Sequence, residues 1–220
     1  MRNADLVLGA LGKIAPRRIP AQSGGSMNNV LIGGIDASGR SWAFYETNGC
    51  GMGARPHADG IDAIHVHMTN TLNTPIEAME RDMPIRITAY EFAPETAGAG
   101  EFRGGAGLVR TFALTHGTAT ASLLAERHAV SPAGTQGGGP GARGRHTLQR
   151  ADGEHVDLEA KTTVRLEAGD AITIQTAGGG GYGEVSQRRS EAVSDDARAG
   201  IAAYRVSESA SGTSAALGRR

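Results

Sequence analysis

Pro84-Ile85-Arg86-Ile87-Thr88-Ala89-Tyr90 marks a change of texture along the chain. Ile85, Ile87 and Ala89 alternate with Arg86, Thr88 and Tyr90, the period-two pattern of a half-buried strand. The residues that follow keep it. Residues 108–114 and 118–124 read as strands joined at His116-Gly117. Residues 145–150 and 154–158 flank Asp152-Gly153, a hairpin turn signal, and 163–167 and 171–176 flank Ala168-Gly169-Asp170 in the same way. The spacing predicts an antiparallel sandwich or barrel-like sheet over 84–176.

Upstream the pattern is mixed. Asn3 is placed to cap a short helix in which Val7, Ala10, Leu11 and Ile14 keep helical spacing and Pro16 ends the run. Residues 30–35 and 41–47 read as a hairpin around Asp36-Ala37-Ser38-Gly39, and 75–82 as a second helix. The fold class is therefore α+β, with three segments: a mixed one over 1–83, a β-rich one over 84–183, and a tail. In the tail, 190–199 reads as a weak helix and the Ser, Ala and Gly run 207–220 as disordered.

Composition narrows the function classes. The formal net charge of −1 argues against nucleic acid or an anionic membrane as the main partner. The single Cys50 excludes an internal disulfide and any cysteine-only zinc site. No apolar run approaches the ~18 residues of a membrane span, and residues 1–12 lack a signal peptide's pattern, so a cytoplasmic protein is expected. Glycine is the outlier: 33 of 220 residues, clustered at 98–107, 134–144 and 178–183. That density implies tight turns and close backbone contacts.

The chemistry concentrates in residues 59–77, which hold two histidines, two asparagines, three threonines and three carboxylates. Polar groups so dense need a connected hydrogen-bond network, a ligand, or both. Thr74, Pro75 and Glu77 suit the N-cap, first and third positions of the second helix, whose free N–H groups would favour an anion. His65 and His67, two apart, would share a face on a strand and could begin a metal site with Asp59 or Asp62. Hydrogen-bonded packing histidines are the other reading, and no third ligand has diagnostic spacing. Residues 178–181 could form an anion nest or a tight structural loop. Ser122, Glu126, Arg127 and His128 lie at a strand end, where Arg127 could clamp a carboxylate or phosphate. Cys50 reads better as a small buried residue than as a nucleophile.

Taken in order, these blocks resemble the hydantoinase B/5-oxoprolinase family. The matching motifs are Ser26-Met27-Asn28-Asn29, residues 46–56, Asp59-Gly60-Ile61-Asp62, residues 65–77, Tyr90-Glu91, residues 98–107, 122–127 and 137–144, Lys161-Thr162-Thr163-Val164 and residues 178–183. Cys50 stands where a glycine looks usual. The resemblance covers about residues 4–200 and corresponds to the C-terminal portion of longer members. It implies an ATP-dependent hydrolase of small cyclic amides, hydantoins or 5-oxoproline, in which ATP is bound by an A-type partner subunit. It also implies a divalent metal held in an N-terminal B-type portion, whose Asn-Asp-Pro and Gly-His-His-Ala-Asp motifs this chain lacks. His65, His67, Thr69, Asn70, Asn73 and Glu77 are then the candidate catalytic and positioning residues, with Arg127 as a substrate clamp. The alternatives are a subunit of an ATP-dependent ketone carboxylase and a non-catalytic structural or assembly subunit.

Overall fold

The computed structural model describes residues 1–36 and 38–201. The expected disorder of 207–220 falls outside them, as does Ala37 of the first turn. Three α-helices are described: α1 (Arg2–Ile14), α2 (Ile76–Asp82) and α3 (Ser190–Arg198). The strands are β1 (Asn29–Ile35), β2 (Ser41–Thr47), β3 (Ile85–Ala93), β4 (Gly107–Leu114), β5 (Thr118–Leu124), β6 (Arg145–Gln149), β7 (His155–Leu158), β8 (Lys161–Glu167) and β9 (Ala171–Gln175). They form two antiparallel sheets in the orders β2-β1-β5-β8 and β3-β4-β9-β6-β7. The α+β class holds. The sheets do not close into a barrel, so of the two expected forms it is the sandwich that occurs. No described helix is long and apolar enough to cross a membrane.

Period-two patterning explains the core. Val30, Ile32, Phe44, Ala119, Ala121, Leu123 and Leu166 point inward from one sheet, and Leu108, Phe112, Leu114, Leu148, Ile172 and Ile174 from the other. Phe44 and Phe112 meet across the sandwich with ring centroids 5.9 Å apart. Each such buried Val, Leu, Ile or Phe side chain contributes roughly 1.5–3 kcal/mol. The β1–β2 hairpin pairs with β5, so residues on either side of position 83 build one core.

One turn differs from its reading. The pair flanking Ala168-Gly169-Asp170 is not a hairpin, because β8 and β9 lie in different sheets. Asp170 makes the arch: its buried carboxylate accepts the Glu167 and Ala151 N–H groups and an Arg150 Nη1 bond, while its carbonyl accepts Leu114 N–H. Gly169, at φ +92, turns the chain over. A short turn motif fixes the reversal but not whether the flanking strands pair or part.

α1 also departs from expectation. It starts at Arg2 with Met1 as N-cap and no side-chain cap, so Asn3 lies inside the helix. Its apolar stripe faces away from the body, with Leu6 71%, Val7 59%, Leu11 44% and Ile14 83% exposed, and its buried residue is Asp5.

The glycine clusters pack as bare backbone. Residues 177–183 run through their centre, and successive N–H groups reach different neighbours: Gly178 to Ala142 O, Gly179 to Gly105 O, Gly180 to Gln22 O and Gly181 to Gly139 O. A flat ladder would bond in two directions; this segment bonds in more. A Cβ on Gly179 would lie 2.0 Å from Met52 O, and one on Gly181 2.0 Å from Ala99 O. This is the tight structural loop that was one of the two readings of 178–181.

Candidate functional site

Residues 65–74 are not a strand, and the block splits between two centres. His67 takes a left-handed backbone, φ +62, which turns its ring away from His65. Its Nε2 lies 2.7 Å from Asp5 Oδ1 on α1. Arg127, also left-handed at φ +69, donates from Nη2 to Asp5 Oδ2 at 3.2 Å. Arg127 is 5% exposed, and its other donors bond the Ser23, Gly24 and Ser131 carbonyls. The anion it clamps in this structure is Asp5.

The second centre lies between the sheets. Glu46 and Arg110 occupy inward positions of β2 and β4, where their neighbours are Phe44, Leu108 and Phe112, and they form a fully buried ion pair. The Arg110 guanidinium stacks on Tyr90 and Phe112, 4.8 Å and 5.0 Å from the ring centroids. The other Glu46 oxygen accepts Thr74 N–H. Asn73 donates to Thr47 O and accepts from the Tyr90 hydroxyl, which ties the block to both sheets. The capping box does not form: α2 starts at Ile76 with Pro75 as N-cap, no side-chain cap bond is made, and the carboxylate of Glu46 serves Thr74 instead. His65 bonds weakly to Thr69 Oγ1 at 3.5 Å, its Nε2 is buried without a partner, and burial lowers its pKa against the pull of Glu46. Asn70 and Glu77 are exposed and make no side-chain hydrogen bond among the described residues.

Asp59 and Asp62 do not join the histidines. Asp62 pairs with both Arg103 terminal nitrogens at 2.7 and 3.1 Å, and Asp59 with both of Arg188 at 2.8 and 2.9 Å. Asp196 of α3 bonds both arginines. Burial would raise the Asp59 pKa, but Arg188 and Arg103 overcome it and hold the carboxyl below its ordinary range. No group of three or more His, Cys, Asp or Glu side chains among the described residues could hold a metal ion. The strand-end residues form no triad either: Ser122 bonds Thr163, Glu126 pairs with Lys161, and His128 packs edge-on against His146. Cys50 is buried in contact range of Gly24, and burial pushes its thiol up to about 11, which disfavours the thiolate a nucleophile needs.

Three residues that organise the site escaped the sequence reading: Asp5, Glu46 and Arg110. For the latter two a signal existed. Each is the charged residue at an inward phase of an otherwise apolar alternation, and their charges are opposite. Asp5 gave none, since helical spacing placed it opposite the apolar stripe, where solvent was expected.

A two-sheet antiparallel sandwich with a bare-backbone glycine bundle and a polar loop wedged between α1 and the sheet edges is a specific architecture, and it has relatives. The Hydantoinase B/oxoprolinase family matches residues 1–185. An uncharacterised protein of Methanocaldococcus jannaschii is 43% identical over 197 residues, 90% of this chain and 34% of that protein. A 5-oxoprolinase of Dictyostelium discoideum is 33% identical over 183 residues, 83% of this chain and 14% of that protein. The crystal structure of an ATP-dependent caprolactamase from Pseudomonas jessenii shares the fold, with a TM-score of 0.74 at 24% identity over 87% of this chain and 35% of that one. The chain belongs to the hydantoinase B/oxoprolinase family. It spans about a third or less of the length of these relatives.

Proposed function

We propose that this chain is one part of an ATP-dependent cyclic-amide hydrolase that opens hydantoin or 5-oxoproline rings. The observation that carries the reading is the family match over residues 1–185, with a named 5-oxoprolinase among the relatives. In this reading an A-type subunit binds ATP, and the remaining B-type portion brings the divalent metal. The described residues offer no such metal cluster of their own. The exposed apolar stripe of α1, Leu6, Val7, Leu11 and Ile14, is a surface available to that remaining portion. In this reading His67, Asn70 and Glu77 act on substrate, while His65, Thr69 and Asn73 hold the loop that carries them.

The test is ATP-dependent ring opening of hydantoin and 5-oxoproline by the chain alone and with A-type and B-type partner chains. Turnover is expected only in the complete mixture. Acetone with bicarbonate serves as the competing substrate pair: carboxylation without ring opening would replace this reading by the ketone carboxylase one. Association without any turnover would favour the assembly subunit.

A further inference from the structure

The inner side of α1 presents a carboxylate where an amphipathic helix would ordinarily present apolar side chains. Asp5 is buried, its side chain 4% exposed, and it holds His67, Arg127 and Arg2 at 2.7, 3.2 and 2.6 Å. Left-handed backbone at a non-glycine residue costs on the order of 1–2 kcal/mol and persists only where its surroundings fix it. Both His67 and Arg127 adopt it, and both end on the same carboxylate.

A carboxylate bonded to two guanidinium groups accepts and does not donate. Whenever the His67 ring is neutral it therefore carries its proton on Nε2, and the Nδ1 lone pair is left over. Nδ1 has no hydrogen-bond partner among the described residues. His67 and Asp5 line a cavity of about 250 Å³ under α1, walled by Leu8, Ile19 and Pro20, with Lys13, Gln22 and Thr135 as its other polar groups. A base with one nitrogen committed and one open, beside a small half-apolar cavity, has the arrangement of a general base and its orienter.

We propose that this cavity is a small-molecule site in which His67, oriented by Asp5, acts as the proton acceptor at Nδ1. The substrate class rests on the cyclic-amide reading above; the geometry does not. Water gives a proton to Nδ1 as its oxygen bonds the amide carbon, the C–N bond breaks, and the released nitrogen takes that proton back. Asp5 is a positioning residue and Arg127 secures it.

Nitrogen-15 NMR of the full chain tests this with hydantoin as the probe. The expected result is a His67 ring protonated at Nε2, with Nδ1 the histidine nitrogen that shifts on hydantoin addition. Asp5→Asn should reverse the tautomer, because the amide then donates to Nε2. If the unpaired Arg127 prevents that variant from folding, His67→Gln keeps the Asp5–Arg127 pair and should bind hydantoin about tenfold more weakly at an unchanged melting midpoint. A ring protonated at Nδ1, or hydantoin leaving His67 unperturbed, overturns the proposal. Full turnover by an assembly carrying His67→Gln would sink this site while leaving the proposed function standing. Binding at His67 without turnover by any assembly would do the reverse.

Discussion

At the scale of single residues, burial decides which titrations matter. His146, on the inner face of β6, is 2% exposed, and burial, with His128 beside it, lowers its pKa to about 3. His128 is lowered by burial too. Both are neutral when folded and can take a proton only at a penalty, whereas the unfolded chain protonates them near pH 6.5. The unfolded state thus binds more protons below that pH, so this contribution is complete above about pH 6.5 and drains away toward about pH 3. His146 alone contributes a slope of at most about 1.4 kcal/mol per pH unit. His146→Leu should flatten the fall in melting temperature between pH 7.5 and 4.5, and an unchanged slope would mean that other groups govern acid unfolding. Arg110 belongs to the same scale. Arg110→Met leaves Glu46 charged and buried and should cost about 3–5 kcal/mol by denaturant unfolding. Adding Glu46→Gln should recover part of that loss, since the orphaned charge goes with it.

Elements are held by charge where apolar contact is thin. α3 has a strongly polar sequence, yet its position is fixed because Asp196 bonds both Arg103 and Arg188, and these in turn hold Asp62 and Asp59. Asp196→Ala should cost about 1–3 kcal/mol and release α3 to proteolysis before the sandwich unfolds. Equal cleavage of both proteins would show that the helix is held otherwise. Much of this scale was legible in the chain. Alternation placed every strand from Ile85 onward, and the turn dipeptides placed the reversals. What was not legible was the partner of each reversal and the facing of each helix. Ala168-Gly169-Asp170 reads alike as hairpin or arch until the strands beside it are known. The α1 stripe reads as a buried face because helical spacing identifies a face and not what lies against it. In the 59–77 block, its polar density was legible but its division was not, because φ +62 at His67 has no spacing signature.

For the whole molecule, two halves stabilise by opposite means, one by interlocking aliphatic side chains and the other by having none. Gly179→Ala should abolish folding, since its Cβ would fall 2.0 Å from Met52 O and 2.3 Å from Met52 C. Gly9→Ala is the control: nothing lies within 4 Å of that Cβ, at the edge of the cavity under α1, and the change should add about 0.5–1 kcal/mol. Similar thermal midpoints for the two variants would refute this division. The bundle also orders events in time. Its axis, residues 177–183, comes after the segments it joins near 22, 52, 98, 105, 135, 139 and 142. A ribosome releases those segments first, and until the axis emerges each lacks its central bonding partner. The nascent chain must therefore carry the rest of the bundle unfinished, open to chaperones and proteases. A premature stop near residue 176 would leave all nine strands in place but the glycine bundle without its axis.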